Sequence, residues 1–544
     1  MIACLTVAFT YRRIFFGIDF TDDASYLSIP YSFVLGNKPF VDEALLQQSG
    51  TLFLVPFIWL YVKIVGSTAG LMLFGRHLFL ATSLLASVIA WRAFRKNIWV
   101  AAAVFAYIPI SIAGLSYNTI GNFGMLIGGM LALIADQEKN SKAAFASGLV
   151  LVLGSLAYPV FIVPAVLVVV LLSFFSWSES RKIAFMSWIG FGVGAVFNAL
   201  LLLSFGWQNL LKAYQYSKED GGGGGIEKFW GVLVNLVLNF PYPWIVVFVC
   251  AGIYGLSRAS KSKIREYWLF LVYPVAFLIR FSGARDVSLS EIYVSYLTLL
   301  GLVAFFMVRG DSRARKVFML VWIPGSIAGL MMGWSSSNGF LNHGVGAFTA
   351  AIASLYLILR VVEVKAPPSA IYFTTVFFTL HLFAQVSFGN QFVYRDAPLG
   401  ELTQRVPDGP FAGIWTTPSK ASFIQDLEGD VRTFGSGKKS ILFYDLFSAG
   451  YLFSALKPTT PEIALKPVAM GPYNRMAFVD YYKKPENDPD LVFEFFSIPI
   501  TPSFDLTFNS PTENRFGDPF RAFFDSKLGY RQVVVRKNYR VLAK

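Results

Sequence analysis

The chain has 544 residues, of which 55% are hydrophobic, 17% aromatic and 15% charged, with a formal net charge of +13. Soluble domains average about 25% charged residues, so a soluble protein of this make-up would expose large apolar patches and aggregate. The basic residues sit in short clusters between apolar runs, a pattern that speaks against nucleic acid and matches the way membrane topology is written.

Cys4 and Cys250 both lie in apolar runs, and His77, His343 and His381 are far apart in sequence. No disulfide, zinc or haem chemistry is expected from them. The composition instead predicts a polytopic α-helical membrane protein followed by a water-exposed domain.

Residues 1–18 are apolar apart from Arg12 and Arg13, with no Lys or Arg before them. They read as a first transmembrane helix with a short cytoplasmic end, not as a signal peptide, and the two arginines are expected to snorkel to the far interface. Further apolar runs fall near residues 71–91, 98–115, 121–136, 143–157, 159–175, 183–205, 243–257, 267–281, 289–308, 317–334, 345–361 and 370–388. The Tyr158-Pro159 pair breaks 143–175, which is too long for one span, into a tight hairpin. Residues 51–65 are also apolar, but Pro56 and Lys63 favour an interfacial helix over a span.

One set of loops carries Arg92, Arg95 and Lys96, then Lys139 and Lys142, Arg181 and Lys182, Arg258 to Arg265, Arg309 to Lys316, and Lys365. The positive-inside rule puts this set in the cytoplasm and gives about thirteen spans, with residues 389–544 outside. The expected division is a transmembrane module over 1–388, whose first outer loop is 19–70, and an extracytoplasmic α/β domain over 389–544.

The outer loop 206–242 contains Lys212, Lys218 and a glycine run at 221–225, most simply a mobile loop and, on a sharper reading, a substrate gate. After Phe388 prolines, charges and short strands appear. Strands are expected at 411–415, 440–444 and 491–496, helices at 418–434 and 447–456, and a hairpin over 532–543. Phe423, Leu427 and Val431 fall on one face of the first of these helices. No glycine-rich phosphate fingerprint is present.

The segment most informative about function is Gly17-Ile18-Asp19-Phe20-Thr21-Asp22-Asp23-Ala24-Ser25-Tyr26, followed by Leu35-Gly36-Asn37-Lys38-Pro39-Phe40-Val41-Asp42-Glu43. Carboxylates at a membrane surface cost desolvation unless they pair or bind a cation. Two readings stand side by side: a functional acidic pair, or an N-cap in which Thr21, Asp22 or Asp23 starts an interfacial helix.

A short first helix, an acidic pair in the first outer loop, interfacial helices, many further spans and a terminal α/β domain together resemble the GT-C glycosyltransferases. The local matches are Thr21-Asp22-Asp23 with Tyr26, residues 36–43, and Leu115-Ser116-Tyr117-Asn118. The His-Pro-Pro element frequent in protein O-mannosyltransferases has no counterpart in 42–50. The resemblance implies a polyprenyl-phosphate-linked sugar donor, a lipid, glycan or protein acceptor, membrane lipids as surroundings, and an inner-membrane location with the C-terminal domain periplasmic.

On that resemblance Asp22 is the expected base and Asp23 an orienting group or a ligand for a divalent cation such as Mg or Mn. Tyr26, Asp42, Glu43 and Asn118 would support the acceptor and the loop. Arg285, Arg280, Lys38, Lys218 and His343, with Lys212, are candidate contacts for the donor phosphate. Arg76 and His77 lie inside an apolar run, which predicts an ion pair, with Asp19 or Asp42 as the expected partner. A transporter or flippase of a lipid-linked glycan and a non-catalytic assembly subunit are the competing readings. No internal repeat favours the first of these.

Overall fold

A computed structural model of the chain describes residues 2–220, 225–238, 252, 265–280, 289–336, 338–365, 367–391, 393–465, 471–501, 504–507 and 529–544. The expected span at 243–257, the loop 282–288 with Arg285, and most of the glycine run at 221–225 therefore lie outside the described residues.

The chain is a polytopic helical protein with a small C-terminal sheet region. Among the described residues, seven helices are long and apolar enough to cross a membrane, or eight if the bent pair Phe340–Gly346 and Phe348–Lys365 is one span. Helices also form at the other predicted runs that fall within the described residues, but several are short. The first helix, α1 (Ile2–Arg13), has 12 residues, and Ile98–Ala106 has 9. At 1.5 Å per residue Ile98–Ala106 reaches about 14 Å, short of the ~30 Å hydrocarbon layer.

The run 98–115 was expected to be one span, and it is not continuous helix. After Ala106 the backbone becomes irregular, with Pro109 in a short 3-10 turn and positive φ at Ile110 and Ser111. The missing proline N–H and the left-handed residues end the helix here. The break at Tyr158-Pro159 is observed between Ser141–Ala157 and Pro159–Phe161. Residues 51–65 hold only the short helix Val55–Val65, with Phe57, Trp59 and Ile64 exposed.

Glycines let helices pack closely in the helical part of the chain. A Cβ at Gly124 would lie 2.7 Å from the Gly154 Cα, and one at Gly148 would collide with the Ser187 carbonyl. Small residues at such crossings let backbones touch, the main attraction left when the solvent is itself apolar.

Among its described residues the C-terminal region has nine strands: β1 (Gln404–Arg405), β2 (Trp415–Thr416), β3 (Ser440–Tyr444), β4 (Lys457–Pro458), β5 (Leu491–Phe495), β6 (Ser497–Thr501), β7 (Phe504–Thr507), β8 (Arg531–Val535) and β9 (Tyr539–Ala543). Five form a mixed sheet in the order β4-β3-β5-β9-β8. β3 runs parallel to β4 and β5, and β9 antiparallel to β5 and β8. Side chains alternate between two cores, as the strand period of two requires. Ile441, Phe443, Leu491 and Phe493 face helix Pro418–Gly435 through Phe423 and Leu427, while Leu442, Tyr444 and Val492 meet helix Pro472–Tyr482 through Phe478 and Tyr482.

The first core does not stop at the sheet. Ile18, Phe20, Ala24 and Leu27 belong to it, with Phe20 against Phe411, Phe423 and Phe447 at 5.7, 5.3 and 5.3 Å between ring centres. The loop after α1 is thus anchored in the C-terminal region.

Candidate functional site

After α1 the chain turns at Gly17, whose φ of 87° suits glycine, and enters helix α2 (Asp22–Val34). Thr21, the first flanking residue, makes no side-chain cap. Asp19 does that work instead. Its Oδ1 accepts from the Thr21 N–H at 3.0 Å and hydroxyl at 2.6 Å, and its Oδ2 from the Asp23 N–H at 2.8 Å. These bonds satisfy two N–H groups at the helix start. Burial pushes the Asp19 carboxyl above the usual carboxylate range, against the pull of Arg395.

Asp23 is buried and points back into the protein. Its Oδ2 pairs with Arg76 Nη2 at 2.9 Å, and both side chains are under a tenth exposed. Arg76 comes from helix Leu71–Ala93 and also donates to the carbonyls of Ile14 and Gly17 at 2.8 and 2.7 Å. Its ion-pair partner is therefore Asp23, in place of the expected Asp19 or Asp42. Arg13 is buried too, binding the carbonyls of Phe16, Ser111 and Gly389, so it ties three segments together instead of snorkelling.

Asp22, one residue earlier, faces a cavity of about 360 Å³. The Tyr394 hydroxyl donates to its Oδ2 at 2.5 Å, and Arg395 Nη2 sits 3.2 Å from the same oxygen. Oδ1 has no hydrogen-bond partner among the described residues. Burial and the Asp22 charge raise the Tyr394 phenol well above its ordinary value, which keeps it a donor. Burial alone would lower Arg395, but Asp19 and Asp22 outweigh it and hold the guanidinium charged.

Arg395 has positive φ (49°), a strained position for a residue with a side chain, and it also bonds the Thr21 hydroxyl. Beneath it, buried Lys420 donates to the carbonyls of Ile18 and Arg395 at 2.6 and 2.5 Å and pairs with Asp396 at 3.5 Å. Asp396 in turn accepts from the Ile18 N–H at 2.7 Å. This network holds the 393–396 turn against the acidic loop.

The cavity wall also includes Tyr26, Gln47, Tyr117, Asn118, Glu291, Asn342 and Glu462. Tyr26, Tyr117 and Tyr158 form a run of rings spaced 6.2 and 5.8 Å apart. The side-chain oxygens of Asn118 and Gln47 are buried with no hydrogen-bond partner among the described residues. The irregular turn after Ala106 brings Ile110 and Ile112 to the same wall, so the break in that apolar run serves the site.

Asp22, Tyr26 and Asn118 are thus brought together. Glu43 and Asp42 are not among the lining residues. Asp42 Oδ2 accepts from the Lys38 N–H at 2.8 Å and closes a turn, and the Lys38 side chain is exposed. Glu43 is buried, accepting from the N–H groups of Leu45 and Ile463 at 3.0 Å each. Lys212 and Lys218 are exposed on helix Trp207–Asp220. His343 is buried, bonded to the Ser295 hydroxyl at 3.0 Å and stacked on Phe340, while its neighbours Leu341 and Asn342 reach the cavity. Arg280 ends helix Arg265–Arg280, and its side chain, like Arg285, lies outside the described residues.

A divalent cation at Asp23 does not fit these residues. One carboxylate oxygen is taken by Arg76, and Arg13 and Arg76 line the same small space. Among the described residues no three His, Cys, Asp or Glu side chains converge to hold a metal.

Tyr394 and Arg395 escape a reading of the sequence because the nearer of them, Tyr394, lies 372 residues from Asp22, in a short segment with no periodicity. The only local signal is the abrupt change of composition after Phe388. No protein-family model matches the chain, and comparison with curated proteins returns no relative.

Proposed function

We propose that the chain is a glycosyltransferase that moves a sugar from a polyprenyl-phosphate donor to an acceptor hydroxyl. The observation that carries this reading is Asp22, the one carboxylate of the acidic loop that lines this cavity, with Tyr394 and Arg395 both on its Oδ2. Asp22 takes the proton of the acceptor hydroxyl on Oδ1. The acceptor oxygen then attacks the anomeric carbon as the bond to the phosphate oxygen breaks. One inverting displacement suffices, because the phosphate is already a competent leaving group. Arg395 places positive charge where the phosphate oxygen becomes an anion.

In this reading the membrane module has about thirteen spans, the cavity opens on the outer face of the inner membrane, and residues 389–544 are periplasmic. Arg280 and Arg285 are further candidates for the donor phosphate. The test uses purified protein, a polyprenyl-phosphate sugar and a short hydroxyl acceptor. Asp22→Asn is expected to lower transfer by at least about 10³-fold with the fold intact, as loss of a base does. A well-folded Asp22→Asn protein with wild-type transfer sinks the proposal.

A further inference from the structure

A second cavity lies at the other end of α1. It is a slot of about 590 Å³ between α1, helix Leu71–Ala93 and helix Ile98–Ala106. Its lining includes buried Ala101 and Ala102, and exposed Val7, Leu84, Val88 and Trp91. Small residues beside large exposed apolar ones make a narrow channel open to the lipid side.

The mouth of this slot is basic. Trp91 and Ile98 line it, and the turn between their helices carries exposed Arg95 and Lys96. Both have positive φ, 56° and 62°, an uncommon state for side-chain-bearing residues. The Lys96 ammonium lies 5.9 Å from the centre of the Trp91 ring. Arg92 is turned aside to pair with Glu138. Two cations thus stand where an apolar channel meets the membrane surface.

We infer that the slot binds the acyl chains of an anionic phospholipid, whose phosphate sits against Arg95 and Lys96. Basic clusters beside membrane helices attract anionic headgroups, and the apolar walls suit chains already dissolved in the bilayer. The site is separate from the Asp22 cavity and does not depend on the transferase reading.

The test is lipid retention by the full chain, exchanged in detergent into an equimolar mixture of phosphatidylglycerol and phosphatidylcholine and read by native mass spectrometry. Phosphatidylglycerol is expected to be retained about tenfold over phosphatidylcholine. Reversing the charges in Arg95→Glu/Lys96→Glu should abolish the preference without unfolding the protein, because both side chains are exposed. Val88→Trp, at an exposed wall position, should reduce retention of both lipids. Equal retention of the two lipids by wild type overturns the inference. So does a preference that survives the charge reversal, a bound second protein chain, or displacement by polyprenyl phosphate at equal concentration.

Discussion

Asp22 and Asp23 are neighbours in the chain, but on a helix adjacent residues diverge by about 100°. That angle sends one carboxylate to the cavity and the other to Arg76. The two should fail differently when changed. Asp23→Asn leaves the buried Arg76 charge without its counter-ion, and breaking such a pair costs about 3–5 kcal/mol. The expected result is a lower thermal midpoint in detergent, with residual activity in whatever fraction stays folded. A protein of wild-type stability with no activity would place Asp23 in the chemistry instead. Asn118 carries the opposite sign. Its buried oxygen has no hydrogen-bond partner among the described residues, and a buried acceptor left so costs about 1–3 kcal/mol. A substrate hydroxyl would satisfy it. Asn118→Ala should therefore leave the free protein as stable or more stable, while raising KM about tenfold with kcat little changed. A fall in stability with KM unchanged would make Asn118 a structural residue.

At the scale of elements, the loop after α1 and helix Trp207–Asp220 are held by a clasp to the C-terminal region. Glu43 accepts from the Ile463 N–H, the Ala44 N–H donates to the Pro461 carbonyl at 2.7 Å, and Tyr216 donates to Glu462 at 2.7 Å. Burial raises the Glu43 carboxyl from an ordinary 4.5 to about 7, against the pull of the backbone N–H groups. The folded protein then binds more protons than the unfolded chain between those values. Stability falls as pH rises through that window, by up to about 3 kcal/mol at pH 8 relative to pH 4. Hydrogen exchange at Leu45 and Ile463 should become faster from about pH 5 to pH 8, beyond the intrinsic rate increase, and Glu43→Gln should flatten the trend. Protection that is constant or rises with pH in the wild type contradicts the assignment.

The elements themselves were unevenly legible. Strand β3 and helix Pro418–Gly435 follow from period and capping chemistry, because each is decided by its own residues. The expected strand over 411–415 shrinks to Trp415–Thr416, since Phe411 is buried against Phe20 of the distant first loop. Helix Pro472–Tyr482 was not expected, because its apolar residues are spread among tyrosines that serve the second core. At the site, Asp22 was legible from its place after the first helix. Arg395 was not, because only the packing of residues 18–27 into the C-terminal core brings the two together.

For the whole molecule, charge divides the two ends of the membrane module. Helix Leu71–Ala93 carries Arg76 at the acidic loop and Arg92 at the other end, about 24 Å away. Around Arg92 the basic loops are tied to one another: Arg92 to Glu138, Lys139 to Glu179, Lys316 to Asp136 at 2.6 Å, and Arg360 to Asp311 at 2.5 Å. Loops from several helices thus share one face, the condition that lets the positive-inside rule act on the module as a unit. The acidic loop, Arg395 and the sheet region share the opposite face. A reporter enzyme that works only in the periplasm, fused after Lys544, is expected to be active, and a cysteine placed at Arg95 should react with a membrane-impermeant thiol reagent only after the cells are opened. Either marker alone is open to a folding artefact, but the two report opposite faces of one molecule, so they must agree. Activity only from a cytoplasmic reporter, with Arg95→Cys labelled in intact cells, would put the Asp22 cavity inside. An outward-facing lipid-linked sugar could not then reach it, and the donor would have to be sought on the cytoplasmic leaflet.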